Sequence, residues 1–375
     1  MNFEHTEDRR MLEETLTRFL ADKYDIETRN KIAYSEAGRS PELWGELSEL
    51  GLIGALFSED NGGFGGEGFD IMVVFEAIGR GLCPEPFLGA LLTGNALIAA
   101  GESQAELLEG VISGEKIGSF AHEEEESHYE LEHVATKAVK SADGWELNGV
   151  KSVVSHAQAA DFFIVSGRES GDVADKDGIA LFVVPKDAAG LTVRDYLNNE
   201  GGRSGEVILE NVKVADTALV AKGPEALALL DKISGLAALA LSAEALGIME
   251  VIKTTTNEYL QMRKQFGVPI GKFQALQHRM VEMVMEIEQV RSSVINAATM
   301  PKNYTERAKL LTAAKMTACG TGTLVTEEAI QMHGGIGMTW EYGMAHYAKR
   351  LTMIGHQFGD EDYHLARYIE LSQSA

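Results

Sequence analysis

The spacing of apolar residues changes twice along this chain of 375 residues. In the first and last parts of the chain, apolar residues recur at helical intervals, whereas the middle part consists of short runs that alternate apolar and polar residues. We therefore predict an α+β multidomain chain. It would have an N-terminal α-helical domain over residues 1–116, a middle antiparallel β-barrel or sandwich over 117–221, and a C-terminal four-helix bundle over 222–375.

Cap and turn residues add detail to this division. Ser40-Pro41 has the cap-then-proline form of a helix start. The glycine-rich run Gly62–Gly66 predicts a connecting loop, because no Gly-Lys-Ser/Thr follows it as in a phosphate-binding loop. Asp143-Gly144 predicts a turn between two alternating runs. Long bundle helices are expected over Gln277–Ala298 and Arg307–Ile330.

Composition narrows the classes of partner. Acidic residues outnumber basic ones by 57 to 33, and the resulting net charge of −24 opposes binding to nucleic acid. Cys83 and Cys319 cannot form a disulfide framework and lack metal-ligand spacing, which favours a reducing cytoplasm. Met1–Asp8 is acidic and has no signal-like apolar core. Phe87–Ala100, taken as the longest run of low charge, is too short to cross a bilayer, so no membrane span is expected.

A run of four acidic residues, Glu123–Glu126, stands between His122 and His128 in the middle part. Carboxylates and imidazoles are metal ligands, so a metal site is one reading. Runs of like charge more often form solvated loops. We therefore predict an acidic surface loop and no metal.

The stretch Arg263–Gln274 predicts a helix that stops, turns and restarts. Gly267 and Pro269 interrupt the helical pattern, because glycine permits unusual backbone angles and proline cannot continue a helix. Arg263, Phe266 and Gln274 then offer a planar cation, an aromatic face and an amide around a short loop, which could hold the phosphate and ring of a nucleotide. The alternative is an ordinary interhelical turn with a salt-bridged arginine, a buried phenylalanine and a surface glutamine.

A second stretch, Gln331–Thr339, follows a predicted long helix. Its paired glycines, Gly334 and Gly335, would let backbone amides approach a diphosphate without an intervening side chain. Alone this is weak evidence, because helix C-caps also use glycine.

Together, in this order, the two stretches resemble the flavin-binding signatures of the acyl-CoA dehydrogenase family, Arg-x-x-Phe-Gly followed by Gln-x-x-Gly-Gly, and the resemblance extends over essentially the full chain. It implies FAD as cofactor, α,β-dehydrogenation of an acyl-CoA thioester, and an oligomer whose flavin is shared between subunits. Arg263 would bond the pyrophosphate, and Phe266 would pack by the flavin of a neighbouring subunit. The residues that would form this half-site are Arg263, Phe266, Gln274, Gln331, Gly334 and Gly335.

The resemblance also implies contacts with the chain's own flavin, and here the sequence departs from the family. Val153 occupies the place of the usual tryptophan on a strand that contacts the flavin ring, while Ser155 retains a hydroxyl that could bond to it. The family's Thr-Glu-Pro-Gly-x-Gly-Ser-Asp segment, which touches flavin and substrate, appears as Ala121–His128 without its glycines and proline.

The catalytic base is unknown from the sequence. Phe358 occupies the position of the family's usual glutamate, and the region of an alternative glutamate, Leu236–Ala238, contains no acid. Asp360 and Glu361 lie close to the vacant position and are candidates for a displaced base.

The simplest reading is a heteromeric enzyme. The chain resembles the small subunits of family members that act on dicarboxylyl-CoA esters, so a paralogous large subunit would supply the base and the substrate pocket. An electron-transferring flavoprotein is the implied electron acceptor. Two alternatives stay open: a non-catalytic structural subunit, and an active homo-oligomer that uses Asp360 or Glu361.

Overall fold

A computed structural model describes residues 6–373, and the chain divides into two compact units. Unit 1 contains the chain up to Arg29, Glu67–Cys83 and the chain from Ala238 onward; unit 2 contains Asn30–Gly66 and Pro84–Ala237. The predicted absence of a signal-like core rests partly on residues 1–5, which lie outside the described residues.

Helices form the first and last parts of the chain, as predicted. Those of the first part are α1 (Glu7–Lys23), α2 (Ile26–Ala33), α3 (Pro41–Glu49), α4 (Gly68–Gly81), α5 (Phe87–Ala100) and α6 (Ala105–Ile112). Those of the last part are α7 (Pro224–Met262), α8 (Gln274–Ala298), α9 (Tyr304–His333), α10 (Met344–Ile354) and α11 (Glu361–Gln373). The predicted start at Ser40-Pro41 is confirmed, because the Ser40 hydroxyl accepts a hydrogen bond from the Leu43 amide at 3.2 Å and caps α3.

Unit 2 is built on an eight-stranded sheet with the order β6-β7-β3-β2-β4-β5-β8, in which β1 also pairs with β4. The strands are β1 (Gly118–Ala121), β2 (Lys137–Ser141), β3 (Gly144–Ser155), β4 (Phe162–Arg168), β5 (Ile179–Pro185), β6 (Leu191–Leu197), β7 (Arg203–Val214) and β8 (Leu219–Lys222). Fully buried side chains such as Leu147, Phe163, Phe182 and Val207 form its core.

The predicted antiparallel β domain is a mixed sheet that also contains parallel pairings. Most pairs are antiparallel, but β1 runs parallel to β4, with Gly118 opposite Phe162, and β2 meets β4 in parallel at Lys137 and Arg168. The chain forms the β2–β3 hairpin between β1 and β4. After this hairpin, β4 lies beside β1 and runs in the same direction.

Within residues 6–373, the regular structure of unit 1 is helical, apart from a short hairpin after α7. Within it, α8 and α9 pack together, α10 and α11 pack on α9, and α1 and α4 pack together. Besides the uncharged run Phe87–Ala100, α7 contains an 18-residue window that is long and apolar enough to cross a membrane. This window is 83% buried inside the fold, as in the core helix of a soluble protein.

Candidate cofactor and catalytic sites

The predicted helix break is confirmed and takes the form of a small hairpin. After α7 ends at Met262, β9 (Lys264–Gln265) pairs with β10 (Val268–Pro269), and α8 begins at Gln274. The two tip residues, Phe266 and Gly267, have φ of 54° and 80°. Positive φ at both central residues is the geometry of the type I′ turn, which glycine adopts freely and phenylalanine rarely.

The side chains of this hairpin face solvent. Phe266 is 91% exposed, and its ring lies nearly perpendicular to that of Phe273, with ring centroids 6.1 Å apart. Arg263 and Gln274 are exposed as well. Among residues 6–373, the guanidinium of Arg263 forms no ion pair or hydrogen bond. The alternative of a salt-bridged arginine and a buried phenylalanine therefore does not describe this turn.

The second stretch places its two glycines at the end of α9. Gly334 has a φ of 65°, and its amide donates to the Ile330 carbonyl, so it closes the helix. Gly335 has neither a positive φ nor a crowded Cα, because an added Cβ would meet no atom within 4 Å. The positive φ explains the glycine at 334, whereas neither φ nor packing within the described residues explains the glycine at 335. Gln331 lies exposed one turn earlier on α9.

An apolar surface surrounds the hairpin in unit 1. Met262 is 71% exposed and Met285 is 60% exposed. Beside them lies a groove of about 580 Å³. Its apolar lining residues are Leu260, Pro269, Met280, Val281, Val284 and Met285.

The loop that carries Phe358 is fixed by buried donors, which sequence reasoning did not find. Lys315, fully buried on α9, donates its ammonium to the carbonyls of Ile354 and Gly359 at 3.0 and 2.8 Å. His364 Nε2 donates to the Phe358 carbonyl at 2.9 Å. The loop between α10 and α11 is thus held by its backbone, with an apolar ring at position 358.

The two candidate carboxylates both lie at the start of α11. Asp360 Oδ1 accepts from the Tyr363 amide at 2.9 Å, so the side chain caps this helix. Glu361 is exposed, and its carboxylate lies against Gly320 of α9, where an added Cβ would approach Oε1 to 2.8 Å.

In unit 2, Val153 and Ser155 lie near the end of β3. The pairing of β3 with β7 shifts register between Lys151 and Val154, and Val153 is extruded there with a φ of 54° and 60% exposure. Ser155 is half-buried opposite Ser204, and its carbonyl accepts from the Ser119 hydroxyl at 2.9 Å. Its own hydroxyl stays a predicted flavin contact.

The prediction of a solvated acidic loop holds for only part of the run. Glu125 and Glu126 are exposed, but Glu124 is buried and accepts hydrogen bonds from the amides of Ala135 and Thr136 at 2.7 and 3.0 Å. It also accepts from the fully buried ammonium of Lys151 at 2.6 Å. The loop folds inward because it supplies the counter-ion of a buried lysine. Among residues 6–373, no group of three or more acidic, histidine or cysteine side chains is arranged to hold a metal ion.

This ion pair belongs to a larger buried network. Lys151 also donates to Ser166 Oγ at 2.8 Å, and Ser166 lies 2.9 Å from Nδ1 of His122. Because an ammonium can only donate, the serine oxygen accepts from Lys151, and the direction of its bond with the imidazole is set by the tautomer of His122. Burial, with the nearby Lys151 charge, lowers the pKa of His122 to about 3. Burial alone would raise the pKa of Glu124, but Lys151 and the hydrogen bonds outweigh it and hold that pKa below its ordinary value.

The comparisons with known proteins agree with this architecture. Models of the acyl-CoA dehydrogenase N-terminal, middle and C-terminal domains match residues 6–115, 119–212 and 235–369. The short-chain specific acyl-CoA dehydrogenase of Megasphaera elsdenii is 30% identical, with 84% of this chain and 85% of that protein covered. The probable acyl-CoA dehydrogenase YngJ of Bacillus subtilis is 29% identical, with 92% of each covered.

A solved structure shows the same fold. One chain of the ChsE4-ChsE5 complex from Mycobacterium tuberculosis matches with a TM-score of 0.90 over 100% of both chains, at 23% identity. The chain therefore belongs to the acyl-CoA dehydrogenase family. It is an oxidoreductase of that family, whose cofactor is FAD.

Proposed function

We propose that this chain is the small subunit of a heteromeric acyl-CoA dehydrogenase. Its part in the reaction would be to complete a flavin site whose catalytic base and substrate pocket lie on a paralogous large subunit. The observation that carries the proposal is the contrast between two parts of unit 1. The side chains of the half-site for a neighbour's flavin, Arg263, Phe266, Gln274 and Gln331, are exposed, while the position of the chain's own base holds Phe358.

The residues of the half-site fit FAD. Space is open at Gly335, because an added Cβ would meet no atom within 4 Å, so a group from outside the chain could approach the backbone there. Arg263 supplies a planar cation for a diphosphate, and Gln274 and Gln331 supply amides. Phe266 offers an aromatic face, held outward by a strained turn. A position that costs backbone strain and exposes a large apolar ring is typical of a contact with a ligand or another subunit.

Bound FAD would accept the hydride from the β-carbon of an acyl-CoA thioester, while a carboxylate removes the α-proton. In this chain Arg263 and the Gly334–Gly335 turn would hold the diphosphate. Phe266 and the apolar surface around Met262 and Met285 would exclude water at the subunit boundary. Phe358, at the position of the family's usual glutamate, cannot accept a proton, and the nearby Asp360 carboxylate accepts a hydrogen bond from the Tyr363 amide as a helix cap, so the base would come from the partner.

The relatives give further support for a heteromer. The substrate class, the electron acceptor and the compartment rest on the family resemblance. ChsE4-ChsE5 is named as a complex of two proteins, which is consistent with a heteromer of this fold. The resemblance to small subunits of enzymes for dicarboxylyl-CoA esters, such as pimeloyl-CoA, suggests that substrate class. An electron-transferring flavoprotein would be the acceptor, and the cytoplasm the compartment. Because the chain carries a net charge of −24, an anionic CoA ester would need locally placed cations.

The first experiment compares the chain purified alone with the chain co-expressed with a dehydrogenase-like partner. We expect a flavin spectrum that is bleached by acyl-CoA only in the co-expressed assembly. Bleaching by the chain alone would favour the homo-oligomer with a displaced base. A stable assembly that is bleached by acyl-CoA and keeps its flavin after the half-site is mutated would favour the purely structural subunit.

Arg263→Ala should weaken FAD binding to the assembly by roughly ten- to a hundredfold, because it removes a charge-assisted hydrogen bond to the diphosphate. The measurement is the FAD dissociation constant by fluorescence titration of the deflavinated assembly. Arg18→Ala, which removes an exposed arginine of α1, is the matched control and should leave it unchanged. An unchanged constant for Arg263→Ala would remove this residue from the flavin site.

Asp360→Asn should leave acyl-CoA-dependent bleaching intact, because an asparagine caps a helix about as well as an aspartate and the proposed base lies on the partner. Asp360→Ala should instead lower the free energy of unfolding by about 1 kcal/mol, again with bleaching retained. Loss of bleaching in the asparagine variant, with FAD still bound, would identify Asp360 as the base and support the homo-oligomer.

A further inference from the structure

A buried histidine lies within the second of the two proposed flavin-binding stretches. His333 is the last residue of α9 and comes directly before Gly334. Its side chain is 4% exposed. Three groups surround its ring: the Ala329 carbonyl, 2.8 Å from Nδ1; the Tyr342 hydroxyl, 3.1 Å from Nε2; and the Tyr259 ring, stacked with its centroid at 4.5 Å and an interplanar angle of 28°.

The hydrogen-bond chemistry determines the form of the imidazole. A carbonyl can only accept, so Nδ1 carries the proton and donates to Ala329. Nε2 is then unprotonated and accepts from the Tyr342 hydroxyl. Burial lowers the pKa of His333 and raises that of Tyr342, and both directions agree with a neutral pair.

These contacts connect the two proposed flavin-binding stretches. The bond from Tyr342 to His333 joins the residue just before the glycine turn to a residue just after it, so the segment between them is closed into a ring. Tyr259 lies on α7 one turn before Arg263, and its carbonyl accepts from the Arg263 amide at 2.8 Å. The stack of Tyr259 on His333 therefore connects the backbone next to Arg263 with the backbone next to Gly334.

We propose that His333, with Tyr259 and Tyr342, is a positioning residue that sets the Gly334–Gly335 turn at the correct place relative to Arg263 for one diphosphate. This inference rests on the proposed flavin half-site. A diphosphate requires the cation and the backbone amides to be in place together, and neither stretch fixes the other through the chain, because two long helices separate them. The three-ring contact supplies that link.

The test measures FAD affinity in the co-expressed assembly. Tyr342→Phe keeps the ring and removes one hydrogen bond, and it should raise the FAD dissociation constant roughly three- to tenfold. His333→Phe keeps a stacked ring, removes both bonds, and should raise the constant further. The matched control is Tyr347→Phe, which removes another buried hydroxyl of unit 1, one that donates to the Arg80 carbonyl at 2.7 Å. It should lower the thermal midpoint without changing FAD affinity.

The outcomes separate this inference from the proposed function. If Arg263→Ala weakens FAD binding while Tyr342→Phe and His333→Phe behave like Tyr347→Phe, His333 is only a packing residue and the positioning role is wrong. If Arg263→Ala has no effect either, the half-site itself is wrong. Should His333→Phe fail to fold, Tyr342→Phe decides alone. The double variant Arg263→Ala with Tyr342→Phe gives an independent check, since a shared diphosphate requires the two effects to be less than additive.

Discussion

Lys151→Met should lower the stability of unit 2 by about 3–5 kcal/mol, the cost of leaving a buried charge without its partner. Lys151 is fully buried and donates to the His122 carbonyl, to Glu124 and to Ser166. Methionine has a similar length but no donor, so the Glu124 carboxylate would lose its cation inside the protein. Denaturant unfolding gives the free energy, and hydrogen exchange of the β2–β4 amides shows whether the loss is local to this sheet.

Two variants make this result specific. Lys140→Met removes a lysine of the same sheet whose ion pair with Asp216 is exposed, and it should cost less than about 1 kcal/mol. The double variant Lys151→Met with Glu124→Gln removes both charges and should be more stable than Lys151→Met alone, because the neutral amide can still accept from a backbone N–H. If Lys151→Met and Lys140→Met cost the same, the buried pair contributes nothing beyond a surface pair.

The acidic run shows why sequence reasoning placed only part of this region correctly. Four consecutive glutamates indicate a solvated loop, and Glu125 and Glu126 follow that rule. Glu124 does not, because Lys151 on a later strand folds beneath it. A partner of opposite charge that is distant in sequence leaves no local signal. The same network now occupies the place of the glycine- and proline-containing segment that the family resemblance associates with flavin and substrate.

The hairpin that carries the proposed flavin half-site was more predictable, since its signals are local. A glycine and a proline within a helical pattern mark the hairpin at Phe266, and the exposure of that side chain follows from the turn. The parallel pairing of β1 with β4 was not predictable in this way, because it depends on where the chain returns after β2 and β3. Likewise, the cap at Asp360 was within reach of sequence rules, since an aspartate directly before a helix is a standard cap.

The loop at Phe358 and the loop that contains the acidic run are held in the same way. Each is held by a fully buried lysine, Lys315 in unit 1 and Lys151 in unit 2, and each lysine has a buried histidine close by. Neither ammonium is available for catalysis, because each is committed to carbonyl, carboxylate, thiol or hydroxyl acceptors within the fold. This arrangement supports a chain that offers a rigid half-site and leaves proton transfer to a partner.

The same histidines predict a steep loss of stability in mild acid. Burial, with the charge of Lys151 or Lys315 nearby, lowers the pKa of both His122 and His364 to about 3, against an ordinary value of 6.5. Between these values only the unfolded chain binds the protons, so stability falls as the pH falls from 6.5 towards 3. Each histidine should cost its unit about 2 kcal/mol between pH 7 and pH 5.

Paired variants isolate this effect from the other titrating groups. Burial raises the pKa values of Glu76 and Glu123, so these two groups make the protein more stable as the pH falls. Each variant is therefore compared with the parent by the slope of its unfolding free energy against pH. His122→Asn keeps an acceptor for Ser166, and His364→Gln keeps a donor for the Phe358 carbonyl. Denaturant unfolding at a series of pH values should show that each exchange flattens the stability profile by about 1.4 kcal/mol per pH unit between pH 4 and pH 6.

His278→Asn, which replaces an exposed histidine, is the control and should keep the parent slope. Parallel profiles for all three variants would mean that neither buried imidazole is kept neutral by the fold.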